Sequence, residues 1–107
     1  MRRPRVEILY FEGCPNHQAT HALVERVAAE LETDPELALV LVPDQATAAE
    51  LRFLGSPTVR IDGRDIEPGA EERRDYFVSC RVYRTEQGLS GQPDASWVRE
   101  ALRRAAG

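Results

Sequence analysis

The chain has 107 residues, 42% of them hydrophobic, and a formal net charge of −4. That length fits one domain over residues 1–107, and the apolar content suffices for a core, which excludes a disordered tail. All fourteen basic residues are arginine, which excludes a Schiff-base lysine, a P-loop lysine and a Ser–Lys dyad. Acids and bases are interspersed, so no broad basic face for nucleic acid is expected. Arg2, Arg3 and Arg5 make a short basic N-terminus that reads as a solvated end. No apolar run reaches the length of a membrane span. Glu7 interrupts the short apolar stretch after the basic residues, which makes a poor signal peptide. The expectation is a cytoplasmic protein with no membrane partner. Its two cysteines are then reduced, redox-active or metal-binding rather than a permanent staple.

Val6 to Phe11 is a near-continuous run of β-formers, as for a strand buried on both faces. Glu12-Gly13-Cys14-Pro15-Asn16-His17 follows, and an apolar-periodic segment from Pro15 to Leu31 predicts a helix. Cys14 falls at the expected N-cap and Pro15 at the first helical position, where proline is well tolerated. The first N–H groups of a helix have no internal partner and stabilise a thiolate, so this is a site for thiol chemistry. The helix carries Ala19, Leu23, Val27 and Leu31 on one stripe, with Val24 and Ala28 beside them. Leu37 to Val42, bounded by prolines, predicts a second buried strand. Strand, helix and strand with so long a crossover imply a parallel, right-handed unit.

Asp44 is the expected N-cap of a second helix with Ala48 and Leu51 inward, and Gly55 is placed to end it. Thr58, Val59 and Ile61 form a third strand, Asp62-Gly63 a two-residue hairpin, and Arg64 to Ile66 the return. From Gly69 to Gln92 the pattern weakens. Glu71 to Asp75 reads as exposed, and Tyr76 to Tyr83 as a packed strand or ordered loop. Gly88, Gly91 and Pro93 mark a loop, and a last helix runs from Asp94 to Ala106 with Trp97, Val98, Ala101, Leu102 and Ala105 inward.

This order, β-α-β-α-β-β-α with Cys14-Pro15 after the first strand, Ser56-Pro57-Thr58-Val59 opening the third and Asp62-Gly63 in the hairpin, resembles the thioredoxin superfamily. The likeness extends to small bacterial thioredoxin-like proteins, some of which carry alkylmercury-lyase labels. The resemblance implies a thioredoxin-like α/β domain with a mixed four-stranded sheet and an inserted loop before the last helix. It implies a cis proline at Pro57 beside Cys14, with Pro15, Ser56 and Thr58 helping to position substrate and no cofactor. It departs from the family in one respect: His17 stands where the second cysteine of Cys-x-x-Cys would be. Dithiol exchange by this tetrapeptide alone is therefore excluded.

Several readings of the remaining groups stay open. Cys80 either resolves Cys14, if the insert carries it to within about 7 Å between Cα atoms, or is a buried small residue between Val78 and Val82. His17 either tunes the Cys14 thiol as acid or base, or is an unpartnered surface group. Cys14, His17 and His21 have a Cys-x2-His-x3-His spacing that suits zinc, copper or mercury. Arg60 and Arg81 are candidates for the carboxylates of a glutathione-like cosubstrate, or plain surface charges. Tyr76, Phe77 and Tyr83 are candidate anchors for a partner, or caps on the sheet. The leading expectation is a thiol-based redox protein acting through Cys14 on a disulfide-bearing protein or a small thiol such as glutathione. A soft-metal binder or a redox-inactive adaptor on the same scaffold is the alternative.

Overall fold

The computed structural model describes residues 3–106. The chain runs β1 (Arg5–Tyr10), α1 (His17–Glu30), β2 (Glu36–Leu41), α2 (Gln45–Leu51), β3 (Thr58–Ile61) and β4 (Arg64–Asp65). A 3-10 turn at Ala70–Glu72, β5 (Tyr83–Thr85), β6 (Gly88–Ser90) and α3 (Ala95–Ala106) complete it. The main sheet is mixed, in the order β2-β1-β3-β4. β1 pairs parallel with β2 and antiparallel with β3, which pairs antiparallel with β4.

β1 lies inside the sheet, which explains its unbroken apolar run. Val6 and Ile8 pack on Leu23, Val24, Val27 and Ala28 of α1 and Val98 and Leu102 of α3. Leu9 joins the other cluster, with Val42, Ala48 and Phe53. Two helices therefore share the cluster on one side of β1, and the α2 region supplies the other. Val6, Ile8 and Leu9 thus bury on both faces of β1, while Arg5 and Glu7 pair with each other.

Three elements differ from the sequence reading. α1 begins at His17 with Asn16 as N-cap, because Pro15 and Asn16 stay in a turn and Asn16 supplies the first helical acceptor, to Thr20 N–H at 3.0 Å. Its inward stripe uses Thr20, fully buried, where Ala19 was expected and is exposed. β2 is an edge strand, and its Leu39 and Leu41 remain 52% and 44% exposed; they pair with Ile8 and Tyr10, so they lie at the edge of the α1 face, on the opposite side of the sheet from α2. α2 ends at Arg52, whose φ of 56° supplies the left-handed turn expected of Gly55.

Asp62-Gly63 forms the expected two-residue connection. Both residues have positive φ, 52° and 83°, and Ile61 sits opposite Arg64. Beyond it lies a hairpin the sequence reading took for a loop: β5 pairs with β6, and Thr85 faces Gly88 across Glu86-Gln87. Arg2 lies outside the described residues. Arg3 and Arg5 are not a free basic end, since they hydrogen-bond to the Asp34 carbonyl at 3.0 Å and the Glu36 carboxylate at 2.9 Å. Among the described residues no helix is long and apolar enough to cross a membrane.

Two aspartates cap helices. Asp44 accepts from Thr47 N–H at 2.8 Å, and Asp94 accepts from Ser96 N–H at 2.9 Å and Glu86 N–H at 3.1 Å. Hydrogen bonding to Thr47 holds the Asp44 carboxyl below its usual range, and Ser96 does the same for Asp94. A carboxylate with a depressed folded pKa adds stability above its unfolded value of about 3.9 and loses it as pH falls through the folded one. We therefore expect stability to fall below the usual aspartate range. In Asp44→Asn and Asp94→Asn, which keep an acceptor, that acid loss should shrink, as read from urea midpoints between neutral and acidic pH. Equal acid loss in wild type and double variant would contradict the assignment.

Candidate functional site

The antiparallel register sets Leu9 opposite Thr58, so β1 ends where β3 begins. The loop carrying Cys14 and the loop carrying Ser56 and Pro57 therefore leave the same end of the sheet. Phe11 to Cys14 is a tight turn in which Cys14 N–H donates to the Phe11 carbonyl at 3.2 Å. Gly13 takes a φ of 89°, the left-handed conformation this turn position needs. Cys14 is 5% exposed, and Pro15 beside it is exposed. Cys14 thus precedes the helix cap by two residues and is not the cap itself.

His17 lies against this turn, bonded to its backbone. Its ring stacks on Tyr10 at 4.4 Å between centroids, and Nδ1 donates to the Cys14 carbonyl at 3.0 Å. That hydrogen bond puts a proton on Nδ1 and leaves Nε2 as the nitrogen that can exchange one. His21 is paired instead with Glu25 at 3.2 Å. Among the described residues no three His, Cys, Asp or Glu side chains gather as a metal site. The Cys14, His17 and His21 spacing therefore does not produce one: each histidine has a different neighbour.

The Ser56–Pro57 peptide is cis, and both residues are buried. Ser56 N–H donates to the Ser79 carbonyl at 2.8 Å, and the Ser56 carbonyl accepts from Arg81 N–H at 2.9 Å. Ser56 and Cys80 thus face each other in a parallel bridge. The insert lies beside the Pro57 loop like one more strand. Cys80 is a free thiol and exposed, so the reading of a buried small residue does not hold; its neighbour Val82 is also 61% exposed.

The residue that the insert buries is Arg81, at 2% exposure. Its guanidinium makes bonds of 2.7 and 3.1 Å to the two oxygens of Asp65, 2.7 Å to Glu67 and 3.0 Å to the Thr58 hydroxyl. It lies 4.5 Å from the centre of the Tyr83 ring. Burial alone would lower the Arg81 pKa, but the hydrogen bonds and charges of Asp65 and Glu67, with Tyr83, outweigh it and hold the group above its ordinary value. Burial also pushes the Tyr83 hydroxyl well up, so it stays protonated, and it donates to the Pro57 carbonyl. Thr58, read as a substrate-positioning residue, donates to the Gly55 carbonyl at 2.6 Å while accepting from Arg81. Gly55 has a φ of 115°, and a Cβ there would lie 2.9 Å from Arg81 Cβ, so glycine admits the close approach.

Both arginines are engaged within the protein. Arg81 is consumed internally, and Arg60 donates to the Leu51 and Arg52 carbonyls at 2.6 and 3.0 Å, closing the end of α2. Of the three aromatic anchors, Tyr83 is buried and Phe77 is 58% exposed. The Tyr76 hydroxyl donates to the Arg73 carbonyl at 3.3 Å, and the carbonyl of Tyr76 accepts from Gln45.

Sequence reasoning named Arg81 and Tyr83 but gave them other roles, a cosubstrate contact and a partner anchor. Asp65 in β4 and Glu67 just past it offer two carboxylates to an arginine, but nothing in their spacing selects residue 81. No family model, curated protein or solved structure matches the chain.

Removing one partner of a buried ion pair strands the other charges, so Arg81→Ala should cost about 3–5 kcal/mol of stability by urea denaturation. A cost below about 1 kcal/mol, the range of surface pairs, would contradict the clamp.

Proposed function

We propose that the chain is a thiol-based redox protein on a thioredoxin-like scaffold, with Cys14 as the reacting sulfur. The observation that carries this reading is that the two cysteine-bearing segments lie at the same end of the sheet. Cys14 sits in the turn off β1, and Cys80 is bridged to Ser56 immediately before cis Pro57, in the loop at the same end of the sheet. The strand order β2-β1-β3-β4 and the cis peptide also support the scaffold.

The chemistry follows from two thiols without a third. The Cys14 thiolate attacks one sulfur of a disulfide, forms a mixed disulfide with it and releases the other half as a thiolate. The Cys80 thiolate then attacks the Cys14 sulfur, closing Cys14–Cys80 and releasing the remaining half as a thiol. The substrate gains two electrons and the protein loses two. Two equivalents of an external thiol then return the protein to its dithiol state and leave as their own disulfide. Cys80 is suited to the second step because it is exposed, whereas Cys14 is nearly covered. His17 Nε2, free of the Cys14 carbonyl bond, is the nearby group able to carry a proton.

Mild oxidation with diamide followed by peptide mapping tests this. A Cys14–Cys80 disulfide is expected in the wild type, and in Cys80→Ser a Cys14 adduct with added glutathione. Cys14 left unmodified in both proteins would contradict the reading.

A further inference from the structure

A reactive Cys14 could serve an extended protein segment or a small molecule, and the surroundings of Ser56 distinguish the two. An extended polypeptide docks on a sheet by pairing its backbone groups with an unpaired edge. At Ser56, the residue that continues β3 toward the Cys14 loop, no such pair is free. Its N–H is taken by the Ser79 carbonyl and its carbonyl by Arg81 N–H.

The occupying strap is fixed at several points. Arg81 anchors it through Asp65, Glu67 and Thr58. Phe77 N–H donates to the Phe53 carbonyl at 3.2 Å. The Gln45 side chain donates to the Tyr76 carbonyl at 2.6 Å and accepts from Val78 N–H at 3.3 Å. Cys14 shows only 5% of its surface. A reagent must therefore be slender, or must enter as an extended segment along an edge that is already filled.

We propose that residues 79–81 fill the polypeptide-docking edge beside Ser56, so that Cys14 accepts low-molecular-weight disulfides in preference to disulfides carried by extended protein segments. This rests on the reading of Cys14 as the reacting thiol. It makes Ser56 a residue that seats the strap, and Arg81 a specificity determinant acting through that strap.

Two pyridyl disulfides test it, one of 2-mercaptoethanol and one on the single cysteine of a short unstructured peptide. Attack by Cys14 forms the mixed disulfide and releases pyridine-2-thione, whose absorbance gives the rate. Cys80→Ser confines the reaction to Cys14, and each rate is divided by that of the same reagent with free N-acetylcysteine. The small reagent should be favoured by about tenfold or more, because the peptide must displace the strap's hydrogen bonds to Ser56 to reach Cys14. Arg81→Ala should raise the peptide rate and leave the small-reagent rate unchanged. Because that variant loses the buried ion pairs, amide exchange of Arg81 in the Cys80→Ser protein gives a second readout: it should stay protected with the peptide in excess. Equal or faster normalised reaction of the peptide, or loss of Arg81 protection on adding it, overturns the proposal. A Cys14 that reacts with neither reagent overturns the thiol reading itself, and the proposal with it.

Discussion

The Arg81 guanidinium sits where water cannot compensate its charge, so its position is dictated by the groups that can. Asp65 meets it with both oxygens, Glu67 with one, Thr58 with its hydroxyl and Tyr83 with the face of its ring. These partners come from β3, the β4 strand with the residue after its neighbour, and β5. A charge buried this deeply is costly unless all of them stay in place. The irregular insert is thereby located against the sheet chiefly by one polar knot, with Tyr83 and Val78 packed beside it.

The cysteine-bearing end of the sheet follows from that knot. Once Arg81 is seated, its backbone N–H lies against the Ser56 carbonyl and Cys80 comes opposite Ser56. Gly55 is required because a side chain there would meet Arg81. Tyr83 holds the Pro57 carbonyl and Thr58 holds the Gly55 carbonyl. Of the residues first read as positioning substrate, Ser56, Pro57 and Thr58 are thus engaged with the protein's own insert, while Pro15 is exposed. In the proposed chemistry this makes the insert both the source of the second thiol and the limit on what reaches the first.

Much of the framework was legible in the residues because local signals and packing agree there. β1 announces two-sided burial, Asp62-Gly63 announces its hairpin and Asp44 its cap. The discrepancies have physical causes. The apolar run of β2 reads as buried, but strand order puts it at an edge, where Leu39 and Leu41 lie at the margin of the α1 face. The α1 start shifted because Cys14 N–H is used by the Gly13 turn before the helix begins. The insert was opaque because its order comes from long-range polar contacts, and no periodicity encodes a pairing between residue 81 and residues 65 and 67. His17 and His21 share a helix face by spacing, yet Tyr10 and Glu25 draw their rings to different neighbours.

The central claim is that the insert is seated as a strand at Ser56 in the reduced protein in solution. Scalar couplings across hydrogen bonds read this directly by NMR. The account predicts measurable couplings between Arg81 N and the Ser56 carbonyl carbon, and between Ser56 N and the Ser79 carbonyl carbon. Absence of both, with Ser56 and Arg81 amides exchanging as fast as those of a solvated loop, would contradict it.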